Sequence, residues 1–378
     1  MNTLILMDSF KGSISSHTAG CTVREAILKI NPTDQVTVLP VADGGEGTVS
    51  AFHSFPNHQS IKVQVNNPLF EPVEATYVIS TEDNCAIMEM SQASGLTLIQ
   101  NRLAPLQAST YGVGEMIIDA LDRGVRHFIM GIGGSATNDG GVGMLQALGY
   151  RFLDANKYEI MPGNAGLSMI AEIDLSQADK RLKECQFDIA CDVDNPLNGE
   201  RGSAAVFSPQ KGASAADVKA IEANLLHYHQ MTKTVIKQAD NLYPGAGAAG
   251  GLGYAFKTYL EANLQSGIEL ILRLIHAEDY MKEADLVITG EGKLDFQTAM
   301  GKTPIGVAKL AKKYGKKVIA FAGVVDNEAI AVNAKGIDAF FPILDQIRPL
   351  EEALSEENTK ANLRRTVSQV INLINLWR

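Results

Sequence analysis

Short apolar runs, each broken by a polar and glycine-rich stretch, recur along this chain. Residues 3–7 and 36–42 are runs of strand length, and between them residues 15–30 place apolar side chains at helical spacing. Ser15 or Ser16 is the expected N-cap of that helix. Residues 61–65 and 75–80 flank a Pro-Leu-Phe-Glu-Pro connection and predict a pair of antiparallel strands. Strands are also predicted at 86–90, 127–130 and 187–190, and a long amphipathic helix at 217–239. The opening rhythm then returns. A strand at 285–289 is followed by a helix at 303–314, strands at 317–322 and 339–342, and a helix to the C-terminus.

The 378 residues exceed the ~250–300 at which one hydrophobic core stops growing. Because the end of the chain repeats the pattern of its beginning, the reading is α/β with two domains. A doubly wound Rossmann-like domain is built from both chain ends, residues 1–63 plus 281–378. Residues 64–280 form an inserted mixed α/β domain.

Six apolar runs end in clusters that bring glycine, acids, hydroxyls or lysine, and in four of them glycine stands with an acid, a hydroxyl or a lysine. The clusters are 8–12 (Asp-Ser-Phe-Lys-Gly), 43–47 (Asp-Gly-Gly-Glu-Gly), 131–141, 191–196, 290–295 and Gly323. Turn chemistry alone explains one such loop, but six in one chain point to a ligand edge, since open α/β sheets bind ligands beyond the carboxyl ends of their strands. Glycine turns ahead of a helix expose N–H groups suited to phosphate oxygens. Strand-end carboxylates suit Mg²⁺, and lysine supplies charge to a phosphoryl group in transfer. Together these are the parts that phosphoryl transfer needs.

Other chemistries fit less well. Gly301-Lys302-Thr303 ends like a P-loop, but Phe296 stands where its first glycine belongs. Gly245–Gly250 spells GxGxxG without a preceding strand. The run from Gly131 to Ala136 does follow a strand and offers the one opening for an NAD-dependent oxidoreductase, with Asp154 as its only candidate ribose ligand. His227 and His229 lie two apart on a helix and face away from each other, so they make a poor metal pair. Gly12-Ser13 carries no GxSxG elbow, and Trp377 reads as a packing residue.

Charge narrows the partners. With 33 basic and 43 acidic residues the net charge is −10 and no basic run forms, which argues against nucleic acid. The four cysteines form no CxxC pair and read as reduced core residues. No apolar run approaches membrane-spanning length, and the first residues read as a strand rather than a signal peptide. The expectation is therefore a cytoplasmic protein without a membrane partner.

Several stretches resemble the type I glycerate kinase family. They are 8–13 (Asp-Ser-Phe-Lys-Gly-Ser), 41–48 (Val-Ala-Asp-Gly-Gly-Glu-Gly-Thr), 92–96, 109–114, 131–143, 191–197 (Cys-Asp-Val-Asp-Asn-Pro-Leu), 208–213 (Ser-Pro-Gln-Lys-Gly-Ala), 244–253 and 284–295, with Gln297, Thr298, Gly301 and Lys302. The resemblance implies ATP, Mg²⁺ and D-glycerate, with 2-phosphoglycerate as product and the active site in a cleft between two α/β domains. A 3-kinase or a kinase of another small hydroxy acid is the near alternative. A non-catalytic binding protein is a remoter one. The oligomeric state stays open, a homodimer being one outcome.

At the matching positions, chemistry suggests roles. Asp8, Lys11 and Asp43 are the catalytic candidates, Asp8 and Asp43 competing as the base. Ser9, Gly44, Gly45 and Glu46 are the substrate-binding candidates. Gly133, Gly134, Ser135, Thr137 and Asn138 are expected to bind nucleotide. At least one of the pairs Asp192/Asp194 and Glu291/Asp295 is expected to hold the metal.

Overall fold

A computed structural model describes residues 1–378 apart from Glu46, Ser54, Pro56, Met300 and Arg378. The chain is α/β and divides into two compact units. One comprises Met1–Asp43, Ser50–Ser54 and Ser266–Arg378, the other Gly44–Val49 and Phe55–Gln265.

The first unit holds a five-stranded, wholly parallel sheet. From edge to edge its strands are Ala339–Pro342, Lys317–Val325, Leu286–Leu294, Asn2–Met7 and Gln35–Val38. Numbered along the chain this is the doubly wound order 2-1-3-4-5. Strand Asn2–Met7 is apolar almost throughout because both of its faces are covered. Ile5 and Met7 join Ala19, Val23 and Ile27 of helix Ser16–Ile30 and Leu363 and Val367 of helix Glu356–Asn375 in one core cluster. Helix Thr303–Lys313 packs against strands Leu286–Leu294 and Lys317–Val325 of the same sheet. Ser15 is the N-cap of the first helix, accepting from the Thr18 N–H at 3.1 Å.

Several strands differ in their ends from the sequence reading, among them Lys317–Val325, which runs past 322 so that Gly323 lies within a strand. The second strand of the chain ends at Val38 rather than at 42, because Pro40 has no N–H to continue the ladder. Strand Leu286–Leu294 runs well past 289, so Gly290 and Glu291 lie on a strand and not in a loop. A glycine there reads as punctuation, but at Gly290 a Cβ would lie 2.1 Å from the Phe321 carbonyl oxygen. The residue permits close strand approach rather than a turn.

The second unit is built on a six-stranded mixed sheet. Its order is Asn263–Gln265, Gln186–Ala190, His127–Gly131, Cys85–Glu89, Pro72–Ser80 and His58–Asn66. The first four run parallel and the last two pair antiparallel. Strand Asn263–Gln265 carries one apolar residue in three, too weak a pattern to read. Helix Ala215–Val235 begins with a capping box, in which the side chains of Ser214 and Asp217 each accept from the other's backbone N–H.

The GxGxxG spelling at 245–250 is a packing device. Its last glycine sits where a Cβ would lie 1.9 Å from the Thr137 carbonyl oxygen. Trp377 is 86% exposed, not packed, because it lies beyond the last helix. All four cysteines are free, and only Cys85 is buried. Among the described residues, no helix is long and apolar enough to cross a membrane.

Candidate active site

In the first unit the chain order reverses between strands Asn2–Met7 and Leu286–Leu294. In open α/β sheets ligands bind beyond the carboxyl ends of the strands at such a switch point. Met7 pairs with Gly290, so the next residues, Asp8 and Glu291, stand side by side where the first strand ends. Both are buried. Asp8 accepts from the Ser9 N–H through Oδ1 and from the Thr303 hydroxyl through Oδ2, each at 2.6 Å. Thr303 opens an eleven-residue helix whose second residue is Pro304, a fit for a helix start. Glu291 Oε1 accepts from the Thr298 hydroxyl at 2.6 Å.

Burial pushes the Asp8 carboxyl up to about 6, with the Asp43 carboxylate adding to it, against the pull of Thr303, Ser9 and Lys11. Burial likewise pushes Glu291 up to about 7, opposed by Thr298 and reinforced by Asp8. Two carboxylates raised into the working range at one strand edge are suited to proton transfer and to a hard cation.

They line a pocket of about 500 Å³, together with Asp43, Asp295, Lys11 and Lys302. Lys293 and Arg348 complete its charged rim, held respectively by Asp326 at 2.8 Å and by Asp345 at 3.0 Å. The lining also has an apolar part that includes Phe10 and Leu354. Asp295 also works locally, its Oδ1 accepting from the Thr298 N–H at 3.2 Å. The structure thus brings together Asp8, Ser9, Lys11, Asp43, Glu291 and Asp295.

The remaining candidates lie in the second unit. Gly44 meets the end of strand His127–Gly131, where a Cβ on Gly131 would lie 1.7 Å from the Gly44 carbonyl oxygen. Gly45 also lies beside Gly133, where a Cβ would make an ordinary contact with the Gly45 Cα at 3.4 Å. Glu46 falls outside the described residues. Gly134 turns the loop through the left-handed region, φ 74°. Ser135 Oγ accepts from Lys211 Nζ at 2.8 Å, and the Thr137 carbonyl oxygen accepts from the same ammonium at 2.6 Å. Asn138 spends its side chain on the framework, donating to the Pro105 carbonyl and accepting from the Ser208 hydroxyl, both at 3.0 Å.

The pair Asp192/Asp194 forms no enclosed oxygen cluster. Both residues are exposed, and Asp194 pairs with Arg201 at 2.6 Å. Among the described residues, no group of three or more His, Cys, Asp and Glu side chains is arranged to hold a metal ion. A cation on the first unit's acids would take one or two carboxylates and draw its other ligands from substrate and water, the usual habit of Mg²⁺.

Sequence reasoning assigned no role to Arg348, Thr298 and Thr303 around the pocket, or to Glu89 in the second unit. Glu89 Oε1 accepts from the Val49 N–H at 2.7 Å, fixing the end of the second glycine loop, and burial raises its carboxyl. A lone acid closing the apolar run 85–89 was its signal. Arg348 had none, standing in a connection beyond the last strand.

The glycerate kinase family matches residues 3–375 of this chain. A glycerate kinase of Bacillus subtilis (strain 168) is 45% identical over 377 residues, covering 100% of this chain and 98% of its own. The glycerate 2-kinase of Escherichia coli (strain K12) is 44% identical over 93% of both chains. A crystal structure assigned as glycerate kinase 2 from Salmonella typhimurium LT2 superposes with a TM-score of 0.90 at 42% identity, covering 100% of this chain and 98% of that one. Matched end to end in sequence and in fold, the chain belongs to the glycerate kinase family.

Proposed function

We propose that this chain transfers the γ-phosphoryl group of ATP to the 2-hydroxyl of D-glycerate in the presence of Mg²⁺, giving 2-phosphoglycerate and ADP. The observation that carries the reading is the pair of buried carboxyls, Asp8 and Glu291, both raised toward neutrality at the switch point of a parallel sheet. The choice of the 2-hydroxyl rests on the relative named glycerate 2-kinase.

Asp8 is the base. A glycerate hydroxyl loses its proton late in transfer, and a carboxyl near 6 accepts it while remaining mostly ionised at neutral pH. Thr303 and Ser9 fix the orientation of that carboxylate. Asp43, half-buried and close enough to act on the Asp8 charge, is the reserve base. Lys11 and Lys302 offer positive charge to the glycerate carboxylate and the transferring phosphoryl group, with Ser9, Gly44 and Gly45 as further substrate contacts. Glu291, with Asp43 or Asp295, is the set that fits a Mg²⁺ ion. When bound, the ion would neutralise charge on the phosphates. Nucleotide phosphates are assigned to the Gly133–Thr137 turn, through backbone N–H groups and the Ser135 and Thr137 hydroxyls.

The test is ADP release coupled to an absorbance assay, with and without glycerate, and the product identified by phosphorus NMR. Glycerate-dependent release with a 2-phosphate signal is expected. Release that appears with a different hydroxy acid but not with glycerate would move the substrate to that acid, release without any added acceptor would be hydrolysis of ATP, and no release with either acid would end the kinase reading.

A further inference from the structure

The glycine loop of the second unit rests on a lysine that the chemistry above does not use. Lys211 closes a single turn of 3₁₀ helix, Pro209–Lys211, and is 1% exposed. Its ammonium donates to two neutral acceptors, the Ser135 hydroxyl at 2.8 Å and the Thr137 carbonyl at 2.6 Å. It makes no ion pair with any described residue. A cation buried against neutral partners costs free energy that ion pairing would offset.

The acid that acts on its charge does not provide that pairing. Asp139, on the same loop, is the ionisable group whose charge bears on Lys211. Its carboxylate is taken up elsewhere, accepting from the Thr110 N–H at 2.8 Å, the Thr110 hydroxyl at 2.9 Å, the Gly141 N–H at 3.1 Å and the Gly143 N–H at 3.2 Å. Burial accordingly pushes the Lys211 ammonium down to about 7, with Asp139 opposing the shift.

Two further features show a loop waiting for an acceptor. A serine hydroxyl has one hydrogen to give. Since Ser135 Oγ already accepts from Lys211, that hydrogen is free for a ligand. Thr137 is fully buried, and its hydroxyl has no hydrogen-bond partner among the described residues. A buried hydroxyl left unmatched is uncommon in a finished core.

We propose that Lys211 completes a phosphate site at the Ser135–Thr137 turn, gaining a proton from solvent as the phosphate arrives, so that the anion meets an ammonium one hydroxyl away. This rests on the assignment of nucleotide phosphates to that turn. Lys211 acts through Ser135 and is a positioning residue. A purely structural lysine, tying the loop to its neighbour, would bind the same two acceptors without exchanging protons with a ligand.

The experiment is calorimetry of ADP binding at pH 8, in two buffers that differ in ionisation enthalpy, on wild type, Lys211→Met and Ser135→Ala. Wild type is expected to take up between about half a proton and one proton per ADP at pH 8, and much less at pH 6, where Lys211 is already charged. Lys211→Met should lose the uptake and weaken ADP by about 10- to 100-fold, the worth of a charge-assisted hydrogen bond, while the KM for glycerate stays near wild type. Should Lys211→Met not fold, the wild-type uptake and its reduction in Ser135→Ala carry the test. ADP binding with no proton uptake at pH 8 overturns the proposal, as does unchanged ADP affinity in a folded Lys211→Met. The calorimetric readings need no turnover. Absent glycerate-dependent ADP release therefore counts against the kinase reading alone, whereas a wild type that binds no ADP defeats both.

Discussion

At the end of strand Asn2–Met7, Asp8 accepts two hydrogen bonds and lines a pocket, and its carboxyl is raised to about 6. At the end of strand His127–Gly131, Asp139 accepts four hydrogen bonds and is sealed from solvent. Both acids belong to strand-end loops rich in glycine, and their sequences advertise them equally. The difference lies in what surrounds the carboxylate. Around Asp139 the backbone has spent the acid on holding the loop, so the loop's chemistry is left to its N–H groups, its hydroxyls and Lys211. Around Asp8 the backbone supplies one donor, and the acid keeps capacity for a substrate proton.

Substitution at the two acids should separate these roles most sharply. Asp8→Asn is expected to lower kcat by about 10²–10⁴-fold, the usual worth of a general base, measured by coupled ADP release. Folding should not suffer. The Asp8 carboxyl rises from 3.8 to about 6 on folding, so its ionised form costs stability that is absent below the unfolded value and fully present above the folded one. At pH 8 the variant should melt at or above the wild-type temperature. A folded variant with less than a tenfold loss would hand the base to Asp43.

Asp139→Ala should do the reverse. Stranding three buried N–H groups and a hydroxyl is expected to cost about 3 kcal/mol or more in urea unfolding. A loss below about 1 kcal/mol would mean that the loop re-forms its bonds without the acid, and the contrast would collapse.

The pH profile sharpens the comparison from one side. Wild-type kcat/KM should fall on the acid side of about pH 6, as Asp8 takes up the proton it must lose to act. The residual activity of Asp8→Asn should lack that limb.

Gly134→Val tests the other loop. A side chain in the left-handed region strains the turn, and the apparent ATP constant should rise several-fold while the glycerate constant holds. Equal changes in both would contradict the assignment of phosphates there.

The smallest effect should come from the exposed acids. Asp194→Asn removes an exposed ion pair with Arg201, worth about 1 kcal/mol at most, and should leave the Mg²⁺ dependence of the rate unchanged. Glu291→Gln should raise the Mg²⁺ concentration needed for half-maximal rate.

Much of this arrangement was legible in the sequence. Apolar runs of strand length and helical spacing marked the strands at 3–7, 61–65 and 127–130 and the helix capped by Ser15, because local patterning and capping are properties of neighbouring residues. The strand-end clusters also marked Asp8, Ser9, Lys11, Asp43, Glu291 and Asp295, which do line one pocket.

What the sequence could not rank was one acid against another. Asp192 and Asp194 look as promising as Glu291, yet they stand exposed while Glu291 is buried beside Asp8. Burial is set by residues hundreds of positions away. Thr303 meets Asp8 across 295 residues, and Gly290 lies in the sheet because Met7 and Phe321 pair on either side of it. Arg348 reaches the pocket from a connection without pattern, and Lys211 reaches Ser135 across 76 residues. The sequence by itself determined the elements and the chemical vocabulary of their ends. The tertiary structure decided which of those groups lost their water, and desolvation is what turns an ordinary carboxylate or ammonium into one that titrates where catalysis and binding can use it.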